Sequence, residues 1–234
     1  MLTFLEIQTE VRTKVIDGPA AVVTLVPRLV NRAVRDIQRD YNFKVMEAKS
    51  ELVTVLNTRV LGVQPANFKE FHGEPWWTED SQGATHIMSV AANREGLVRG
   101  IRGEATGSPQ YLLQGEPTND AGAVNWEVWP LPDGLSDYVG GEYRVTVPYY
   151  KYLTVLAADG DTNWFTENAD EYIVAKAVAR AFGTDWDEQR AAVWEQFAAN
   201  FKNEVVKADK RLRISAVKNA ALLTSGARAP LLRR

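Results

Sequence analysis

Residues Glu142-Tyr143-Arg144-Val145-Thr146-Val147-Pro148-Tyr149 alternate without a break, with Tyr143, Val145, Val147 and Tyr149 against Glu142, Arg144, Thr146 and Pro148. A period of two sends successive side chains to opposite faces of a strand, so the stretch predicts a half-buried β-strand. Val124-Asn125-Trp126-Glu127-Val128-Trp129 repeats the pattern. Upstream, Glu51 to Leu56 and Val60 to Val63 carry strand formers, and Gly- and Pro-bearing turns separate the segments. Pro148 has no N–H to give to a ladder, which predicts that its strand end lies at a sheet edge. More than half of the chain's aromatic residues fall between Phe68 and Tyr152. The region reads as a small antiparallel sheet or sandwich. Val90 to Ile101 is ambiguous, with a short helix as one reading.

On either side the period changes to that of a helix. Phe4 to Ile16 carries Leu5, Val11 and Val15 among polar residues, and Asp17-Gly18-Pro19 then breaks the chain. A second helix is expected from Thr24 as N-cap, with Pro27 tolerated in the first turn, where N–H groups lack partners in any case. Val26, Leu29, Ala33, Ile37 and Tyr41 form its apolar stripe. Arg28, Arg32, Arg35 and Arg39 form a basic stripe on another face, suited to water, to an acidic neighbour or to DNA. Helices return after Asn163. Asn168 with Glu171 has capping-box spacing, Tyr172, Ala175, Ala179 and Phe182 share a face, and Gly183 is a natural stop. Thr184 and Asp187 are expected to cap a last helix with the stripe Trp194, Phe197, Phe201, Val205, Ala208 and Leu212. From Asp185 to Ile214 that helix would run about 45 Å, more than one small domain needs. Ser225-Gly226-Ala227-Arg228-Ala229-Pro230 is not helical, and the last residues read as a flexible tail.

The expected fold is therefore α+β. An antiparallel helical bundle (1–49 and 153–215) is interrupted by an aromatic-rich antiparallel β domain (50–152), and a long C-terminal helix leads into a basic tail (216–234). The 234 residues, 45% apolar and 24% charged, suffice for a sizeable core. No apolar run is long enough to cross a membrane, and the first residues lack the basic flank and apolar block of a signal peptide, so no membrane partner is expected.

The chemistry-bearing residue types are sparse. There is no cysteine, which excludes disulfides, thiolate nucleophiles and cysteine-based metal sites. No zinc-protease, nucleophile-elbow, phosphate-loop or calcium-loop motif occurs. Gly96, Gly100, Gly103 and Gly107 lack the tight core of a dinucleotide loop. His72 and His86 flank Glu74, Glu79 and Asp80, a set open to a metal but equally to plain surface chemistry. Trp76-Trp77 on a loop suits stacking against sugar rings or plugging the open end of a sheet. No cofactor, metal or catalytic residue is assigned.

Charge is uneven although the net is only −3. Val155 to Asn200 is acidic, and Phe201 to Arg234 is strongly basic. Neighbouring segments of opposite sign point to surfaces that meet different partners.

Asn31 to Phe43, Pro65 to Phe71, Trp126 to Asp133, Tyr143 to Tyr150, Asp161 to Asp170 and Ala191 to Phe197 are six segments that in this order resemble the head-to-tail adaptor (connector, or head completion) proteins of tailed bacteriophages. Asn31 to Phe43 resembles the family's second helix and its exit, and Pro65 to Phe71 its proline–asparagine–phenylalanine turn. Trp126 to Asp133 resembles a strand ending in Trp-Pro-x-Pro, and Tyr143 to Tyr150 the next strand with its paired tyrosines. Asp161 to Asp170 resembles the opening of the third helix, and Ala191 to Phe197 the fourth. Val90 to Gly107 and the chain after Ser215 depart from the pattern.

The resemblance implies a non-enzymatic virion protein, assembled in the host cytoplasm, whose subunits form a ring (typically of twelve) beneath the portal and offer a platform to a tail protein. Such a ring needs two different complementary faces. Asp185, Asp187, Glu188 and Glu195 are the candidates to meet Arg28, Arg32, Arg35 and Arg39 of a neighbour, or those arginines line the lumen towards packaged DNA. The candidate portal contact is the basic, leucine-bearing end: Lys207, Lys210, Arg211, Arg213 and Lys218 with Leu222 and Leu223, then Arg228, Leu231, Leu232, Arg233 and Arg234. A competing reading is a carbohydrate-binding or hydrolytic tail module built around the tryptophan pair.

Overall fold

The computed structural model describes residues 2–15, 20–78, 84–91, 106–117, 123–135, 141–184 and 187–225. The chain divides into two compact units: residues 1–45 with 153–234, and residues 46–152.

Helices α1 (Phe4–Lys14), α2 (Ala20–Asp40), α3 (Trp164–Asn168), α4 (Asp170–Thr184) and α5 (Glu188–Ser225) build the first unit. α4 is its centre, because α1, α2 and α5 all pack on it. Its alanines make this possible: Ala175, Ala177, Ala179 and Ala181 are buried and let neighbouring backbones approach closely. α2 offers Val26, Val30, Ala33 and Ile37, all buried, and its arginines face out. α2 begins four residues before the expected cap Thr24, and Pro27 lies inside it. Ala20 and Ala21 have the highest helix propensity and extend the helix upstream.

Two side chains of α2 hold the segment that returns from the β unit. Asn31 donates to the Leu156 carbonyl at 2.9 Å and accepts the Leu156 N–H at 3.0 Å. Buried Gln38 accepts the Leu153 N–H at 2.6 Å. Phe43 is fully buried against Tyr41, Trp164 and Phe165, with ring centroids 4.7, 5.4 and 5.0 Å away.

The helix starts differ from the expected ones. Asn163, not Asn168, caps the third helix: its side chain accepts the N–H of Phe165 at 2.9 Å and of Thr166 at 3.2 Å, and Thr166 reciprocates on the Asn163 N–H. Asn168 instead donates to the Trp164 carbonyl. Asp187 caps α5 through the Arg190 N–H at 3.0 Å, whereas the Thr184 hydroxyl donates back to Arg180 within α4.

In the β unit, β1 (Glu47–Val53), β3 (Phe68–Phe71), β4 (Trp76–Thr78), β5 (Thr85–Ile87) and β9 (Arg144–Lys151) form one sheet. β2 (Val60–Val63), β6 (Ser89–Ala91), β7 (Tyr111–Pro117) and β8 (Val124–Trp129) form the other. All pairings are antiparallel except β6 with β7. One core joins both sheets, with Trp126, Met88, Leu112, Val128, Val145 and Val147 fully buried in it. Around Trp126, Phe68, Phe71 and Tyr149 pack at centroid distances of 5.7 to 6.0 Å.

The expected edge position of Pro148 is overturned. β9 is the central strand, with β1 on one side and β3 and β4 on the other. The Pro148 carbonyl accepts the His72 N–H at 3.0 Å. The residue's polar edge therefore faces the link between β3, which pairs Tyr149, and β4, which pairs Thr146. No ladder donor is needed there, so proline is accommodated mid-sheet. Ser89–Ala91 is strand, and the rest of the ambiguous Val90 to Ile101 stretch lies outside the described residues.

Candidate functional site

The candidate charged surfaces lie on the helical unit. Arg28, Arg32, Arg35 and Arg39 are exposed on α2, as their spacing predicts. Asp36 and Asp40, which follow Arg35 and Arg39 directly in sequence, pair with Arg180 of α4, whose Nε lies at 3.1 Å, and with Lys202 of α5.

The acidic candidates have separate places. Asp187 is spent on capping α5 and on an ion pair with Arg190 at 3.1 Å. Glu195 pairs with Lys176. Glu188 is exposed in the first turn of α5, and Asp185 lies outside the described residues. Tyr172 sits close to this charge. Its hydroxyl is pushed well above the ordinary tyrosine range, first by burial and then by Asp36, Asp40 and Glu195, so it stays protonated.

The basic end splits in two. Lys207, Lys210 and Arg211 are exposed on α5. Arg213 is engaged inside the chain: its Nε lies 2.8 Å from Asp209, and its guanidinium also donates to the Asn42 carbonyl at 2.7 Å. Asp209, only 1% exposed, further accepts the Lys44 N–H at 2.9 Å and the Tyr41 hydroxyl at 3.3 Å. Lys218, Leu222 and Leu223 belong to α5, but their side chains fall outside the described ones, as do Arg228, Leu231, Leu232, Arg233 and Arg234 altogether.

The stripe expected to bury α5 is rotated. Ala198, Val205 and Asp209 face inward, whereas Phe197 is 45% and Leu212 56% exposed. The small side chain of Ala198 lets α5 approach α4, and a hydrogen-bonded carboxylate replaces an apolar contact at 209. The displaced side chains line a groove of about 300 Å³ between α1, α4 and α5, walled by Trp194, Phe197 and Phe201 over Val174 and Ala175. Lys14 covers the Trp194 ring at 5.6 Å. The groove continues along α5 past Glu204 and Ala208. The readable signal for this open face is the run Ala191-Ala192-Val193-Trp194 followed by Phe197-Ala198, an apolar arc wider than one packing face needs.

The tryptophan pair is engaged within the β unit. Trp77 is 5% exposed, stacks on His86 at 4.0 Å and donates its indole N–H to the Pro109 carbonyl at 2.9 Å. Trp76 is half-buried with Lys49 over its ring. The pair lies on β4, not on a loop. His72 sits 3.8 Å from Glu47 and packs on Tyr150, apart from His86. Among the described residues no three His, Cys, Asp or Glu side chains gather at one point. No described helix is long and apolar enough to cross a membrane.

No curated protein matches the sequence. The family model described as SU10 adaptor protein matches residues 2–220, which takes in both units and α5 almost to its end. The chain belongs to the SU10 adaptor protein family, and is thereby a structural adaptor-type protein of a phage virion.

Proposed function

We propose that this chain forms a closed ring, of the dodecameric kind its resemblance to connectors implies, beneath the portal, where it completes the DNA-filled head and receives a tail protein. The observation that carries the reading is the family match, which spans nearly the whole chain rather than one motif. In this reading the helices before and after the insertion act as one antiparallel bundle, and the work is assembly rather than turnover.

The basic end of α5 supports the portal side. Lys207, Lys210 and Arg211 are exposed, and Lys218, Leu222, Leu223, Arg228, Leu231, Leu232, Arg233 and Arg234 follow in sequence. An acidic receiving surface would steer such a segment, and leucines would hold it once docked. DNA passing through the ring is the other target of these bases. Arg213 does not belong to this set, since Asp209 and Asn42 already hold it.

Deletion of residues 216–234 tests the reading. The folded units remain, because the deleted stretch lies beyond Arg213 and its partners, and portal-bearing heads no longer acquire the protein. Heads that take up the truncated chain at normal occupancy would refute the docking role. Absence of the wild-type chain from the head–tail junction, seen by electron microscopy of particles, would refute the adaptor reading itself.

A further inference from the structure

The groove beside α5 is an apolar surface with an acidic rim. Phe197 and Leu212 are exposed along one side of the helix, and Trp194 and Phe201 are half-buried in the wall. Glu171 and Glu204 are exposed on its rim, and neither has an ion pair among the described residues. Asp170 adds a further carboxylate to the wall, and Glu10 and Lys14 pair with each other at 3.3 Å.

On a different side of the same unit, α2 has the complementary chemistry. Arg28, Arg32 and Arg39 are exposed and form no ion pair among the described residues. They span roughly 16 Å of helix, and Phe197 to Leu212 spans roughly 22 Å, at 1.5 Å per residue. An arginine suits such a groove twice over, since its guanidinium pairs with a carboxylate or stacks on an aromatic face while its aliphatic stem covers apolar surface.

We propose that a second copy of this chain covers the groove by laying the arginine face of its α2 along α5, Arg28 and Arg32 meeting Glu171 and Glu204. The proposal rests on the reading of the chain as a self-assembling adaptor and names the surfaces that join its copies. None of the four α2 arginines lines the groove of its own chain, so the contact is heterologous, with each copy giving one surface and receiving on the other, as a ring requires.

The test uses the full chain in two charge-reversed forms, Arg28→Glu with Arg32→Glu and Glu171→Lys with Glu204→Lys. Assembly is read as mass in solution and as occupancy on portal-bearing heads. Each form alone fails to assemble while keeping the wild-type melting temperature. An equimolar mixture assembles again, because each reversed surface then finds its complement on the other form. Phe197→Glu also blocks assembly without lowering the melting temperature. Truncation after Ser225 leaves self-association in solution unchanged.

Both forms assembling normally would overturn the proposal and leave the adaptor reading intact, as would failure of the mixture to recover. Loss of self-association on truncation would give the groove to the terminal segment of a neighbour and equally overturn it. A wild-type chain absent from heads and monomeric in solution would sink both readings.

Discussion

Asp209 and Arg213 lie one turn apart on α5, with the guanidinium Nε 2.8 Å from a carboxylate that also takes the Lys44 N–H. Two elements far apart in sequence, the exit of α2 and the distal part of α5, are thus held by one buried charge. Arg213→Ala strands that charge and should destabilise the helical unit by about 3 kcal/mol. Asp209→Asn keeps the shape and one acceptor and should cost less. Denaturant melts followed by helix signal check the order, and equal losses would count against the account.

Trp126 fills the centre of the β core, and its buried indole nitrogen has no hydrogen-bond partner among the described residues. Its value is volume alone. Trp126→Ala should cost about 3–5 kcal/mol. Trp77 adds a hydrogen bond to the Pro109 carbonyl, so Trp77→Phe should cost about 1 kcal/mol more than Trp126→Phe. Near-ultraviolet melts of the two phenylalanine variants decide it.

Gly141 has φ +70°, and a Cβ there would run into the Gly134 carbonyl oxygen. Backbone, not a movable side chain, is in the way. Gly141→Ala should lower the stability of the β unit by more than about 1 kcal/mol, whereas Gly160→Ala, which meets open space, should be nearly silent in the same melt.

Two carboxylates, at the start of α1 and in the loop whose Asp161 carbonyl accepts the Phe4 N–H at 3.0 Å, make the attachment of α1 sensitive to acid. Glu6 receives the Thr3 N–H at 2.7 Å and the Thr3 hydroxyl, and Asp161 receives the N–H groups of Ala157 and Ala158 at 2.7 and 2.8 Å. These bonds hold both groups below the usual carboxylate range. A folded pKa below the unfolded one contributes stability above the ordinary carboxylate range, and that stability is lost as pH falls through the depressed values. Glu6→Gln and Asp161→Asn should therefore melt earlier than wild type at neutral pH and converge with it in acid. A difference that persists unchanged into acid would contradict the assignment.

Alternation made Val124–Trp129 and Arg144–Lys151 legible as strands, because one face of each meets the core. Trp76–Thr78 and Thr85–Ile87 were not legible: at three residues each they have no period to detect, and pairing with β9 and with each other makes them strands. Pro148 marks a gap in pairing as proline must, but the gap lies between two short strands sharing one neighbour and not at the rim of the sheet. The arginine face of α2 was readable from spacing alone. The open groove is signalled only by the width of the apolar arc from Ala191 to Ala198, since periodicity puts Phe197 and Leu212 on one stripe with Val205 without showing which part of that stripe a neighbouring helix covers.

Glu47 and Tyr150 are cross-strand partners, so the β unit begins and ends on adjacent, hydrogen-bonded strands. Opposed residues in such a ladder lie about 5 Å apart, little more than one peptide step. The inserted stretch is therefore a cassette with a narrow neck. Recombination can exchange it between related genes as one block, at the cost of only two compatible splice points. Diversity among relatives should concentrate inside the cassette, while its flanks change slowly under the constraint of the helices they complete.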